Sequence, residues 1–100
     1  MKVEFADSQG LESAEFDPRK DAGLGPALTK AFRHRLEFIR SCHTEQDIRA
    51  MKSLHFEKLK GKRSHQHAIK LKHDGKRLIF QIIDKGDHKA IRIDEVGDYH

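Results

Sequence analysis

The sequence has few of the features that mark a membrane, secreted or disulfide-stabilised protein. Its single cysteine, Cys42, permits neither an internal disulfide nor a site built from several thiolates. No apolar run approaches the roughly 20 residues that cross a bilayer. Residues 1–4 also lack the basic segment and the apolar stretch of a signal peptide. We therefore expect a protein of a reducing, cytoplasmic compartment that does not bind membranes.

The chain also lacks internal repeats, low-complexity stretches and linkers. Its 100 residues fit one domain and leave no room for a second. Hydrophobic residues make up 36% of the chain and charged residues another 36%. The core must therefore be small, which argues against a large enclosed substrate cavity. The sequence predicts a single domain over residues 1–100.

Motifs for metal, nucleotide or hydrolase chemistry are missing as well. His65 and His67 would share a strand face, but structural zinc normally takes four ligands and Cys42 suits a small core position. The glycines of residues 23–25 are too few for a dinucleotide fingerprint and follow no strand. No nucleophile elbow occurs. The sequence predicts neither a metal site nor a cofactor.

What the chain has in excess is positive charge in its second half. The formal net charge is +4, yet residues 1–50 carry net −1 and residues 51–100 carry net +5. Residues 52–77 hold nine basic and two acidic side chains, net +7, with four histidines among them. Such a patch is typical of a protein that binds a polyanion. Lysines that merely solvate exposed strands are the alternative, but the density and asymmetry favour nucleic acid.

The first half of the chain has mainly helical periodicity. Val3 and Phe5 alternate with polar residues and predict a short first strand. Residues 11–16 can form about one helical turn, and Pro26 is suited to the first position of the next helix. Its apolar stripe is the strongest in the sequence and consists of Leu28, Ala31, Phe32, Leu36, Ile39 and Cys42.

The spacing of the hydrophobic residues changes after a third, shorter helix. Thr44 is its predicted N-cap, and Ile48 and Met51 are predicted to face the core. After Met51 the period becomes two, with Leu54 and Phe56 opening a strand whose facing is ambiguous.

Three further strands complete the predicted sheet. Asp74-Gly75 is a two-residue hairpin signal. It joins a strand that contains Ile69 and Leu71 to a strand over residues 77–84. The second of these strands is apolar on both faces, which suits the centre of the sheet. The last strand contains Ile91, Ile93 and Val96 and is expected to end at Gly97. The order predicts an α+β domain with helices on one face of a twisted sheet and the other face partly open.

The predicted basic face has the chemistry that RNA cleavage needs. The ribose 2′-hydroxyl is an internal nucleophile, so an enzyme need only orient it, move two protons and neutralise charge on phosphorus. An acid, a base and one or two Lys or Arg suffice without metal. The terminal Asp98, Tyr99 and His100 supply proton-transfer and stacking groups. A frayed polar tail is the alternative interpretation of those three residues.

Four segments together resemble a known family. Residues 56–63 (FEKLKGKR), 66–71 (QHAIKL), 75–79 (GKRLI) and 98–100 (DYH) resemble the HigB-like toxins of the RelE/ParE superfamily, also called plasmid maintenance system killer proteins. The resemblance implies a small curved, mainly antiparallel sheet of four to five strands with the N-terminal strand and helices on one face. It also implies the toxin of a type II toxin–antitoxin pair. Such toxins are metal-independent mRNA endoribonucleases that cut codons in the A site of the 70S ribosome and thereby inhibit translation.

The resemblance also implies a partner and several nucleic-acid contacts. The partner is a helix-turn-helix, HigA-like antitoxin. Lys60 would contact the scissile phosphate or neighbouring RNA, and Arg77 would stabilise the phosphorane charge through its planar fork. Further RNA-binding residues expected in the basic stretch are Lys58, Lys62, Arg63, Lys70 and Lys72.

The resemblance implies that the terminal motif and one glutamate carry out proton transfer. The resemblance implies that His100 transfers protons, Tyr99 stacks on or hydrogen-bonds the substrate and Asp98 orients the site. Glu57 stands where some relatives carry a catalytic histidine and could act as base, with His55 as the alternative.

The chain departs from its relatives at two places, which leaves codon preference open. Many relatives have tryptophan at the positions of His67 and Lys76, and Asp74-Gly75 replaces their Asn-Asp-Gln turn. Two other functions fit the same fold. One is a ParE-like inhibitor of DNA gyrase, although such proteins generally lack the terminal Tyr-His pair. The other is a non-toxic remnant that binds antitoxin or RNA.

Overall fold

A computed structural model describes residues 1–6, 10–71 and 75–98. Three helices pack on one face of an open, five-stranded sheet, as the α+β prediction requires. The elements are β1 (Lys2–Phe5), α1 (Leu11–Phe16), α2 (Pro26–Ser41), α3 (Glu45–Ala50), β2 (Glu57–Lys58), β3 (His67–Lys70), β4 (Lys76–Asp84) and β5 (Lys89–Asp98), with 3-10 turns at Lys52–Leu54 and Gly61–Arg63. No helix among the described residues is both long and apolar enough to cross a membrane.

The sheet has the strand order β1-β5-β4-β3-β2. β4 is paired on both sides, with β5 and with β3, and both pairs are antiparallel. β2 adds a short antiparallel edge, whereas β1 lies parallel to β5 with Val3 opposite Ile91. The prediction of a mainly antiparallel sheet is confirmed, and the one parallel pair comes from the N-terminal strand.

The longest helix begins and ends where its sequence signals predict. Pro26 occupies the first turn of α2, where its missing N–H costs no hydrogen bond. Gly25 precedes it with φ 82°, a left-handed conformation that favours glycine. Cys42 ends the helix in an extended conformation and is buried, as expected for a small core residue.

Thr44 caps α3 as predicted, but the far end of that helix differs. The Thr44 side chain accepts from the N3 backbone, and the Asp47 carboxylate accepts from the backbone N–H groups of His43 at 2.8 Å and Thr44 at 3.1 Å. These backbone hydrogen bonds lower the pKa of Asp47. Ile48 is buried, whereas the prediction that Met51 faces the core is wrong, since the helix ends at Ala50 and Met51 is 40% exposed.

The main core lies between the helices and the sheet. Alternate residues of β3, β4 and β5 point towards α2, whose Phe32, Leu36 and Ile39 are completely buried. We call this side of the sheet the helix face. The residues that fill it are Leu11, Ala14, Phe32, Leu36, Ile39, Cys42, Ile48, Leu54, Ile69, Leu71, Leu78, Phe80, Ile91, Ile93 and Val96.

A β-bulge keeps β5 in contact with this core. Ile79 is opposite Glu95 and Phe80 is opposite Ile93, so Asp94 is an extra residue in β5. The apolar positions of β5 therefore change spacing from two to three, and Val96 returns to the helix face.

Two predicted strand boundaries are wrong. The region after Met51 forms the 3-10 turn Lys52–Leu54, and the strand that follows contains only two residues. β5 does not end at Gly97, because Gly97 pairs with Arg77 and the strand continues to Asp98. In the predicted hairpin, Gly75 has φ 68° and the Leu71 N–H donates to Lys76 O at 3.0 Å, whereas Asp74 lies outside the described residues.

Truncating the centre of α2 tests the core. Phe32→Ala should lower the free energy of unfolding by about 3–5 kcal/mol, because it removes a completely buried ring and leaves a cavity. The matched control is Phe16→Ala, since Phe16 is 67% exposed and contacts the Arg40 guanidinium at 5.5 Å. We expect that control to cost less than about 1 kcal/mol in urea unfolding. Equal losses would contradict the assignment of the core.

Candidate nucleic-acid interface

The side of the sheet that faces away from the helices has its own small apolar cluster. Leu59, Ala68 and Ile79 pack together there and are buried. These residues alternate with the helix-face residues of β3 and β4, so they mark the opposite surface, which we call the open face. The predicted second face therefore exists, with an apolar floor surrounded by polar side chains.

One row of residues across the open face is cationic. Lys70 of β3 is opposite Arg77 of β4, and Arg77 is opposite Gly97 of β5. Directly opposed side chains have Cβ atoms about 4.5–5.5 Å apart, so the two cations are neighbours. Gly97 has no side chain, and the Glu95 carboxylate lies over it, with Oε2 3.4 Å from the place that a Cβ would take. Since a phosphate carries charge on several oxygens, the two adjacent cations suit it.

Local contacts bind the Arg77 side chain and the backbone of Lys70. The Arg77 Nη1 donates to Gly75 O at 3.1 Å, while its Nε is buried without a partner in the described parts of the chain. The Arg35 guanidinium of α2 donates to Lys70 O at 3.0 Å and so ties the end of β3 to the helix. Arg77 is half-buried and Lys70 is exposed.

The adjacent row carries a carboxylate at each end. Glu57 is opposite Ala68, Ala68 is opposite Ile79, and Ile79 is opposite Glu95. Glu57 is therefore the diagonal neighbour of Lys70, and Glu95 is the diagonal neighbour of Arg77. Two groups able to accept protons thus flank the apolar floor next to the cations.

A hydrogen-bonded network joins the β2–β3 connection to the bulge of β5. The Arg63 guanidinium donates to the Glu95 carboxylate and, through Nε, to Gln66 Oε1 at 2.7 Å. Gln66 Nε2 donates to Asp94 Oδ2 at 2.7 Å, and Gln81 Nε2 donates to the same oxygen at 2.9 Å. Both acidic residues of the bulge are therefore bound by side chains from other elements.

Most of the predicted site residues that the structure describes lie on this face or at its margins, but Lys58 is opposite His67 and therefore lies on the helix side of β2. Lys58, Lys60, Lys62 and Lys70 are exposed, and within residues 1–6, 10–71 and 75–98 no ion pair engages them. Arg63 differs from these lysines because it is paired with Glu95. Glu57 is exposed on β2.

The predicted terminal motif is described only at its first residue. Asp98 pairs with Lys76, with 3.0 Å between Oδ2 and Nζ. Tyr99 and His100, like the predicted RNA ligand Lys72, lie outside the described residues. His55, the alternative base, is exposed and follows the 3-10 turn with φ 49°. Histidine is among the residue types that adopt this left-handed conformation more readily.

Sequence reasoning missed the contribution of β5 to this face. Glu95 and Gly97 were not predicted there, because a regular alternation through Ile93 would place both on the helix face. The change in spacing of the apolar residues from Ile93 to Val96 was the signal available for a bulge.

A comparison with protein families identifies the chain. The family model described as "RelE-like toxin of type II toxin-antitoxin system HigB" matches residues 4–100. The chain belongs to this HigB-like toxin family. The resemblance seen in the second half of the sequence is confirmed, and it extends over nearly the whole chain. The chain is thus a toxin of a toxin–antitoxin system, and its family implies an antitoxin partner.

Solved structures agree on the fold. The YoeB/ParE toxin from Agrobacterium tumefaciens is similar, with a TM-score of 0.59 and 15% identity over 100% of both chains. At that identity the likeness shows a shared fold. No curated protein matches the chain.

A second feature of the toxin lies on the helix face, around His67. The His67 ring stacks on Phe80 at a centroid distance of 5.8 Å and lies tilted against Phe56 at 5.2 Å. Its Nδ1 is buried and has no partner in the part of the chain that the structure describes. The Arg49 guanidinium of α3 covers Phe56 at 4.2 Å. Burial lowers the pKa of His67, and this outweighs the opposing effect of Glu45.

A cleft of about 650 Å³ lies elsewhere, between the N-terminus, the α2–α3 junction and the β4–β5 turn. Its lining includes Met1, Cys42, His43 and His88 and none of the predicted site residues. In residues 1–6, 10–71 and 75–98 no three His, Cys, Asp or Glu side chains are grouped as a metal would require. The cationic row on the open face therefore remains the best-supported candidate site.

His67 should make the toxin less stable in mild acid. The folded protein holds its pKa below the unfolded value near 6.5, so stability is complete above about pH 6.5 and is lost as the pH falls towards the folded pKa. His67→Phe keeps an aromatic ring and should flatten the loss of stability between pH 6.5 and pH 5 in urea unfolding. His65→Gln, at an exposed position, is the control and should keep the wild-type pH dependence. An unchanged pH profile in His67→Phe would refute this assignment.

Proposed function

We propose that this toxin is a metal-independent mRNA endoribonuclease that acts in the A site of the 70S ribosome and inhibits translation. The observation that carries the proposal is the cationic row of Lys70 and Arg77 beside Gly97, flanked by the carboxylates of Glu57 and Glu95. The net charge of +7 over residues 52–77 supports a polyanionic substrate.

In the proposed reaction the cations neutralise negative charge and bind phosphates. Arg77 neutralises the charge that develops on the phosphorane, and Lys70, its direct neighbour, shares that charge. Lys60 binds the scissile or an adjacent phosphate. The exposed Lys58 and Lys62, together with Lys72, follow the RNA backbone.

Two protons move in the proposed reaction. Glu57, or His55, accepts the proton of the ribose 2′-hydroxyl, and the 2′-oxygen attacks phosphorus. The bond from phosphorus to the 5′-oxygen breaks, and His100 gives that oxygen a proton. The products are a 2′,3′-cyclic phosphate and a 5′-hydroxyl end. Tyr99 stacks on a base, and Asp98, paired with Lys76, orients the terminal segment.

Removing the central cation tests the proposal. Arg77→Gln should lower kcat for mRNA cleavage on translating ribosomes by roughly 10²–10³-fold, because one preorganised donor to the transition state is lost. Arg77→Lys should retain part of the activity, since it keeps the charge without the planar fork. Arg19→Gln removes the same charge from a side chain that is 89% exposed in the α1–α2 loop, and it should cleave normally.

Induced expression in a bacterial host distinguishes the functions that share this fold. Wild type should arrest growth and create new mRNA 5′ ends, and both effects should disappear in His100→Ala/Tyr99→Ala. Arrest with intact mRNA and loss of DNA supercoiling would replace the ribonuclease by a gyrase inhibitor. Harmless expression with tight antitoxin binding would indicate a remnant.

We also propose that the partner is a HigA-like, helix-turn-helix antitoxin that covers the basic surface with an acidic or apolar segment. Lys60→Gln/Lys62→Gln should therefore weaken antitoxin binding and reduce its dependence on salt. Lys20→Gln/Lys30→Gln, which removes the same charge outside the basic stretch, is the control and should bind normally. Binding that is insensitive to salt, with RNA still bound in the complex, would contradict this mode of inhibition.

A further inference from the structure

Arg63 is turned towards the protein, unlike the lysines on either side of it in the sequence. Lys58, Lys60 and Lys62 are exposed, but the Arg63 guanidinium binds both Gln66 and Glu95. A guanidinium that already donates to two side chains has less capacity for a phosphate. Arg63 therefore differs in kind from the lysines beside it.

Backbone hydrogen bonds of Arg63 and its neighbours form a tight turn between β2 and β3. The Leu59 N–H donates to Gln66 O at 3.0 Å, the Gln66 N–H donates to Arg63 O at 2.8 Å, and the Arg63 N–H donates to Lys60 O at 3.2 Å. Gly61 has φ 65°, which this tight turn requires. We call residues 60–65 the basic loop. Lys60 and Lys62 are exposed on it while its backbone is held by its own hydrogen bonds.

Arg63 and Gln66 fasten the basic loop to the bulge of β5. Arg63 reaches Glu95, and Gln66 reaches Asp94, which also accepts from Gln81 of β4 at 2.9 Å. The bulge makes both acidic side chains available as anchors. Leu59 packs on Ala68 and Ile79 at the root of the loop.

The anchor lies next to the cationic row. A Cβ at Gly97 would be 3.4 Å from Glu95 Oε2, and Gly97 is the residue opposite Arg77. The carboxylate that holds Arg63 thus lies over the residue that pairs with Arg77. The pair connects the placement of the basic loop with the placement of Arg77.

We propose that Arg63 is a positioning residue, which fixes the basic loop with its exposed Lys60 and Lys62 to Glu95, and that it is not itself an RNA ligand. The inference rests on the ribonuclease function proposed above. A misplacement of about 1 Å can reduce a rate by about 10²-fold, so an anchor of this kind affects catalysis without touching the substrate.

The dependence of RNA binding on salt separates an anchor from a ligand. The probe is a 2′-O-methyl RNA oligonucleotide of 12 nucleotides, which has no free 2′-hydroxyl and is not cleaved. Lys62→Gln should reduce the slope of log K against log salt by about 0.7, the value for one phosphate contact on a single strand. Arg63→Gln removes the same charge from the same loop and should leave the slope unchanged. An equal reduction in both variants would make Arg63 an RNA ligand and overturn the proposal.

The sign of the effect at Glu95 gives a second test. Glu95→Gln makes the protein more positive and releases Arg63. If Arg63 were a ligand restrained by Glu95, this change would strengthen RNA binding and preserve or raise the rate of cleavage. An anchor predicts a kcat that is roughly 10- to 100-fold lower on translating ribosomes. The double variant Arg63→Gln/Glu95→Gln should be no slower than the slower single variant, because both substitutions remove the same contact between Arg63 and Glu95.

Controls separate misfolding and failure of the proposed function from failure of the anchor. Each variant is first compared with wild type by thermal unfolding. Arg63→Lys can keep the charge pair with Glu95 but not both donor contacts, and it should recover part of kcat relative to Arg63→Gln. If wild type binds RNA but cleaves nothing, the proposed function fails, and the salt slopes still decide the role of Arg63. If wild type cleaves and Glu95→Gln cleaves equally fast, the anchor is overturned and the function stands.

Discussion

The structure depends on backbone pairing along both edges of β4. Because β4 is hydrogen-bonded to β5 on one side and to β3 on the other, its alternate side chains point to two different surfaces. Leu78 and Phe80 enter the core beneath the helices, while Arg77 and Ile79 belong to the open face. Burial on the helix face thereby fixes the register that places Arg77 between Lys70 and Gly97. Packing of the core therefore also sets the positions of the residues in the candidate site.

The open face combines two kinds of charge in a defined arrangement. Lys70 and Arg77 form one row, and Glu57 and Glu95 stand at the ends of the next. Cations alone would bind any polyanion, and their attraction would fall as salt increased. Carboxylates at defined positions beside them restrict which groups of a nucleotide fit, since a carboxylate accepts hydrogen bonds from hydroxyl or amino groups and repels phosphate.

The sequence allowed much of this arrangement to be predicted, because periodicity and turn chemistry are local. Pro26 and Thr44 marked helix starts correctly, and the apolar run over residues 77–84 indicated the central strand. The errors occurred where tertiary pairing decides. Gly97 has weak strand propensity, yet its pairing with Arg77 keeps it in β5, and Asp94 becomes an extra residue only through its register with β4. The pairing of Arg63 with Glu95, 32 positions apart, has no local signal either.

The parallel pairing of β1 with β5 has a consequence for biosynthesis. Val3 and Phe5 leave the ribosome before their partners Ile91 and Ile93, which follow 88 positions later in the chain. The edge of the sheet formed by β1 is therefore assembled only after β5 has emerged, since a strand cannot pair with a segment still inside the exit tunnel. Contacts so distant along the chain also slow folding. A nascent chain in which β5 has not yet emerged therefore lacks this edge of the sheet.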